Sequence, residues 1–127
     1  MKLSKNILLL ASLLPTIANA AFPSGQWTAS SYILSTGAAY STVGICIKPD
    51  GSWYGTSVPS SGHWVTKGDN IYLNGNLSTG YNESGVLIRI NSSLLTGHWQ
   101  EWLDDGSANI YLTEKWSSKS ASCLPAA

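Results

Sequence analysis

From Gln26 onward, apolar and polar positions alternate every second residue, and no later stretch carries the helical period of three to four residues. Turn-forming residues cut this pattern into eight segments. Strands are predicted over 26–34, 40–48, 52–56, 62–67, 70–77, 84–91, 94–102 and 107–115. Pro49-Asp50-Gly51-Ser52 forms a tight turn in which proline pre-sets its φ and glycine takes the left-handed position. Gly68-Asp69 joins the fourth and fifth segments, and Leu103-Asp104-Asp105-Gly106 leads from the seventh into the eighth. In the second segment Val43, Ile45 and Ile47 share a face, and in the sixth Val86, Ile88 and Ile90 alternate with Leu87 and Arg89. Ser78 to Glu83 reads as a polar loop, and the Ser- and Ala-rich stretch 117–127 as an irregular tail.

Eight short strands with hairpin-length connections predict an all-β chain, an eight-stranded antiparallel up-and-down meander closed into a small barrel. A two-sheet β-sandwich is the alternative for the same strands. Closure removes the edges that invite aggregation. It leaves an interior that is either filled by side chains or able to hold one small ligand.

The segment before these strands has a different character. MKLSKNILLLASLLPTIANA carries Lys2 and Lys5, an apolar run from Ile7 to Leu14, and Ala18-Asn19-Ala20, the features of a secretory signal peptide cleaved near Ala20. The organisation expected is a leader over 1–20, one β-barrel domain over 21–116 and a tail over 117–127, in a secreted or periplasmic product. No later apolar run is long enough for a membrane span. Losing the leader leaves five scattered cations against seven acids, without the basic stripe that nucleic acid requires.

Two cysteines in an exported chain predict a disulfide between Cys46 and Cys123. If Val43, Ile45 and Ile47 point inward, Cys46 points outward, and the bond pins the tail across the outer wall.

Gly-x-Trp occurs four times, beginning at Gly25, Gly51, Gly62 and Gly97. Two copies belong to a longer repeat, SGHWVTKGDNIYL and TGHWQEWLDDGSANIYL, which contains both histidines, His63 and His98. Glycine and tryptophan two apart share a strand face, where the missing side chain lets a ring or a bent strand approach closely. Trp27, Trp64 and Trp99 are therefore expected to line the interior, with His63 and His98 on the opposite face. Two histidines without a nearby Cys or Glu cluster do not make a metal site, and the reading includes no metal and no cofactor. Asp104 and Asp105 read as turn chemistry. Glu101 shares the face of Trp99 and is either a solvated rim residue or a carboxylate at a barrel mouth.

Six Trp and six Tyr stand against one Phe, so nearly every ring carries a polar handle suited to a partly wet surface. Barrel mouths are common sites for small ligands. The candidate ligand-binding residues are Trp53, Tyr54, Trp99, Glu101 and Trp102. The meander, the early Gly-x-Trp, GSWYG, LTGHWQEW and the tail-pinning disulfide resemble the calycin group of exported barrels, lipocalins and avidins among them. That resemblance implies a small-molecule binder and carries over no individual binding residue.

The function expected is an exported barrel that binds a small apolar or aromatic molecule, or a saccharide. Two alternatives come from other classes. One is a secreted inhibitor of a hydrolase presenting the loop Ser57 to Ser61 or Ser78 to Glu83 to its protein partner. The other is a small hydrolase or isomerase using Glu101 with a histidine such as His98. Asn76, Asn82 and Asn91 head Asn-x-Ser sequons that matter in a glycosylating host.

Overall fold

The computed structural model describes residues 24–127, so the expected leader lies outside the described residues. Eight strands follow one another in chain order around a closed antiparallel barrel. They are β1 (Gly25–Ile33), β2 (Ala39–Ile47), β3 (Ser52–Gly55), β4 (Ser60–Lys67), β5 (Asn70–Leu77), β6 (Asn82–Asn91), β7 (Leu94–Trp102) and β8 (Asn109–Ser120). Because β1 pairs with β2 on one side and β8 on the other, the sheet closes on itself and the sandwich alternative is excluded.

Three strands extend two or more residues beyond a predicted end, for a common reason. Ser60 and Ser61 pair with Leu77 and Asn76, Asn82 and Glu83 with Trp102 and Glu101, and Gln26 on β1 with Ser120 on β8. Ladder hydrogen bonds use the backbone, so these polar residues extend strands that an apolar pattern ends too early. The predicted loops Ser57 to Ser61 and Ser78 to Glu83 are shorter than expected, and the tail begins only after Ser120.

Alternation decides the interior. Trp27 and Ala29 of β1, Ile45 and Ile47 of β2, Trp53 of β3, Ile71 and Leu73 of β5, Leu87 of β6, Leu95 and Trp99 of β7, and Leu112 and Trp116 of β8 form one core. On β6 the phase runs against simple hydrophobicity. Leu87 is fully buried, while Val86, Ile88 and Ile90 stand on the outer wall, 40 to 56 % exposed.

The tryptophans fit because glycines make room for them. Gly85 faces Trp99 directly across the β6–β7 ladder, and a Cβ there would overlap the six-membered ring. Trp53 lies against Gly75 in the same way. Gly85→Ala is therefore expected to lower the unfolding free energy by about 2 kcal/mol through overpacking, read from urea denaturation followed by tryptophan fluorescence.

The two ends of the barrel differ. At one end the turns 48–51, 68–69 and 92–93 are short, and the Trp64 indole donates its N–H to the carbonyls of Lys48 and Ser52 at 2.9 and 3.0 Å. The other end carries the connections 34–38, 56–59, 78–81 and 103–108. Outside the wall, Cys46 is bonded to Cys123 and fully buried beneath the tail. The Leu124 N–H donates to Gln26 Oε1, the Tyr54 hydroxyl to the Leu124 carbonyl, and the Ala127 N–H to the Gly55 carbonyl. The tail thus lies across the outer faces of β1, β2 and β3.

Candidate functional site

Behind the end with the longer connections, the core leaves a cavity of about 170 Å³ inside the barrel. Its floor is aromatic. Trp99 meets Trp53 edge-on at 5.8 Å between ring centroids and lies tilted against Trp116 at 6.0 Å. Three inward positions on consecutive strands supply carboxyl groups to the same space: Glu83 on β6, Glu101 on β7 and Glu114 on β8. Glu83 and Glu101 are direct cross-strand partners.

Each carboxyl is tied to an aromatic side chain. The Trp99 indole donates to Glu83 Oε2 at 3.2 Å, the Trp116 indole to Glu114 Oε1 at 3.0 Å, and the Tyr40 hydroxyl to Glu101 Oε1 at 3.4 Å. These bonds use one oxygen of each buried pair. Glu83 Oε1 and Glu114 Oε2 are buried without a hydrogen-bond partner among the described residues, and both residues are only 6 % exposed.

Burial dominates their ionisation. It pushes Glu83 up to about 8, reinforced by the Glu101 charge and opposed by the Trp99 hydrogen bond. Glu114 rises to about 7, again mainly by burial and against hydrogen bonds from Ser31 and Trp116. Glu101 is raised by burial and held back by hydrogen bonds with Tyr40 and Glu83. Burial and the neighbouring Glu101 together raise Tyr40. Charging an unpaired carboxyl in an enclosed, low-dielectric space is costly, so the proton is retained instead.

The predicted ligand-binding residues separate. Trp99 and Glu101 line the cavity. Trp53 is fully buried beside Trp99 but belongs to the packed core, its indole donating between strands to the carbonyls of His63 and Asn74. Tyr54 and Trp102 stand on the outer wall, because their positions alternate with those of Trp53 and Glu101. There they flank a shallow groove with Ser61, Asn76 and Asn82. Strand phase thus sets them apart from Trp99 and Glu101. His98 is exposed on the outer face of β7 and Glu101 faces inward, so this histidine and the carboxyl do not converge. Among the described residues no group of three or more His, Cys, Asp or Glu is placed to hold a metal ion.

Sequence reasoning missed Glu83, Glu114, Trp116 and Tyr40. A signal for two of them was present: Glu114 falls in phase with Leu112 and Trp116, and Glu83 with Gly85 and Leu87. Assigning 78–83 to a loop hid the phase of Glu83, and ending the eighth strand at Lys115 left Trp116 outside it.

No family model matches the chain, and no curated protein matches it significantly. Among solved structures the barrel is similar to that of EF1p2_mFAP2b bound to DFHBI, with a TM-score of 0.62 and 14% sequence identity over 80% of this chain and 97% of that one. The likeness extends to the fold, a small eight-stranded β-barrel.

Proposed function

We propose that this protein is an exported, calycin-like barrel that binds a small ligand in the cavity floored by Trp99 and Trp116. The observation carrying this reading is the combination of an unfilled interior with hydrogen-bonding groups facing it. Well-packed cores seldom leave voids larger than a water molecule, and a ligand site is an apolar concavity with a few placed polar groups. An apolar cavity of about 150 Å³ is enough to admit benzene, so a single-ring molecule is the scale of ligand that fits. The similar barrel was solved with the small molecule DFHBI bound, which supports the reading by analogy of fold. Export is supported by the leader-like residues 1–20 and by a disulfide of the kind that persists in oxidising compartments.

Tryptophan fluorescence titrated with single-ring aromatic compounds of each charge type, and with glucose as the saccharide probe, tests the proposal. At least one aromatic probe is expected to shift the spectrum with saturation. Val43→Trp, which fills the mouth from β2, is expected to abolish the response while retaining the near-UV dichroism of a folded core. A panel without any response, or equal binding by Val43→Trp, overturns the reading.

A further inference from the structure

We infer that the cavity selects a compact organic cation, an aromatic amidine or amine whose N–H groups meet the free oxygens of Glu83 and Glu114. The inference rests on the small-ligand reading above and adds the charge and donor pattern of the ligand. Two buried carboxyl oxygens, on side chains more than nine-tenths buried, have no hydrogen-bond partner among the described residues. Buried polar atoms in native proteins are almost always hydrogen-bonded, and an exception calls for an explanation in terms of function or a missing partner. Both residues line one cavity, so a ligand carrying two donors is placed to engage both carboxyls.

The rest of the lining agrees on sign. The titratable side chains facing the cavity are Tyr40 from β2, Glu83 from β6, Glu101 from β7 and Glu114 from β8. Ser31 comes from β1, Ser60 from β4 and Leu77 from β5, with Val58 just before β4. No basic side chain is among them. An anion would meet up to three carboxylates and no counter-charge. A neutral apolar ring would fill the space but leave both oxygens unsatisfied. A planar cation would gain charge-assisted hydrogen bonds, which are roughly twice as strong as neutral ones. It would also lie beside the indoles of Trp99 and Trp116, whose π-systems attract a cation placed over the ring.

Binding then carries a proton consequence. In the ligand-free barrel Glu83 keeps its proton at neutrality and Glu114 is partly protonated there. A cation favours the carboxylate form, so these protons leave to solvent as it enters, and its affinity rises with pH over the range in which the empty site is protonated.

Three isosteric probes read this out. Benzamidinium, benzamide and benzoate share a shape and differ in charge, and their affinities are measured by calorimetry at pH 6 and pH 8.5 with the intact, disulfide-bonded protein. Benzamidinium is expected to bind at least tenfold more tightly than benzamide, with benzoate weakest and with the cation's affinity rising severalfold between the two pH values. Glu83→Gln and Glu114→Gln are each expected to reduce the preference for benzamidinium over benzamide at least fivefold. Benzamide or benzoate binding as tightly as benzamidinium overturns the inference and leaves the small-ligand reading standing. A preference that survives in both variants overturns it as well. If none of the three binds, the cation inference fails, and the full panel decides the broader reading.

Discussion

Replacing both Cys46 and Cys123 by serine is expected to lower the unfolding free energy by about 4.5 kcal/mol, the chain-entropy value for a cross-link of this span. The two cysteines are 77 residues apart, so the bond restricts most of the described chain when it unfolds. A domain of this size has a total stability of only about 5–15 kcal/mol, so the variant is expected to stand near the limit of folding at 37 °C. Its melting midpoint should fall by roughly 20 °C or more. A second variant separates the cross-link from the contacts of the tail. Truncation after Ser120, with Cys46→Ser, removes the bond together with the Leu124 and Ala127 hydrogen bonds. If the double serine variant retains full stability in urea, constraint of the unfolded chain does not stabilise this barrel. If it loses stability while Leu124 and Ala127 amides stay protected from exchange, the tail docks without its pin.

Stability is also expected to fall as pH rises from about 4.5 to 8.5, the reverse of the usual acid sensitivity. Glu83 titrates near 8 and Glu114 near 7 in the folded barrel, against an ordinary value of 4.5. Within that window the folded state keeps protons that the unfolded chain releases, so each pH unit upward favours unfolding. The contribution is therefore complete below about 4.5 and lost as pH rises through the folded values. Water entering at the open end screens the ideal linkage, and about 3 kcal/mol across the window is a discounted expectation. Asp50 and Asp105 act in the opposite sense. Hydrogen bonds from Ser52 and Ser107 hold them below their ordinary value, so their contribution is lost as pH falls through the acid range. Together these groups set a stability maximum near pH 4 to 5. Urea midpoints measured across the range check this, and Glu83→Gln is expected to flatten the upper limb and stabilise the protein at pH 8.5. A wild-type midpoint that is flat or rises with pH contradicts the buried-carboxyl account.

The glycines and the carboxyls affect the cavity differently. Gly85 admits the ring of Trp99 that floors the cavity and Gly75 that of Trp53 packed beside it, whereas Glu83 and Glu114 keep polar atoms where an apolar residue would complete the core. On β6 only Leu87 is a buried hydrophobe, and that strand lines the cavity with Glu83.

Alternation, turn chemistry and length determined the number of strands and their antiparallel sequence, because a two-residue period and short Gly- or Asp-containing turns are local properties of the chain. They also placed Cys46 outside Ile45 and Ile47, and the histidines opposite the tryptophans. Closure into a barrel rather than a sandwich was decided only by the pairing of β1 with β8, which joins residues at opposite ends of the domain. Strand phase was likewise a tertiary decision on β6, where the apolar trio Val86, Ile88 and Ile90 would have nominated the wrong inner face. Glu83, Glu101 and Glu114 are brought together by the β6–β7 and β7–β8 ladders, and the closing β1–β8 ladder adds Ser31 opposite Glu114. A single strand's pattern records which way a residue points, but what faces it across the interior is settled by the whole sheet.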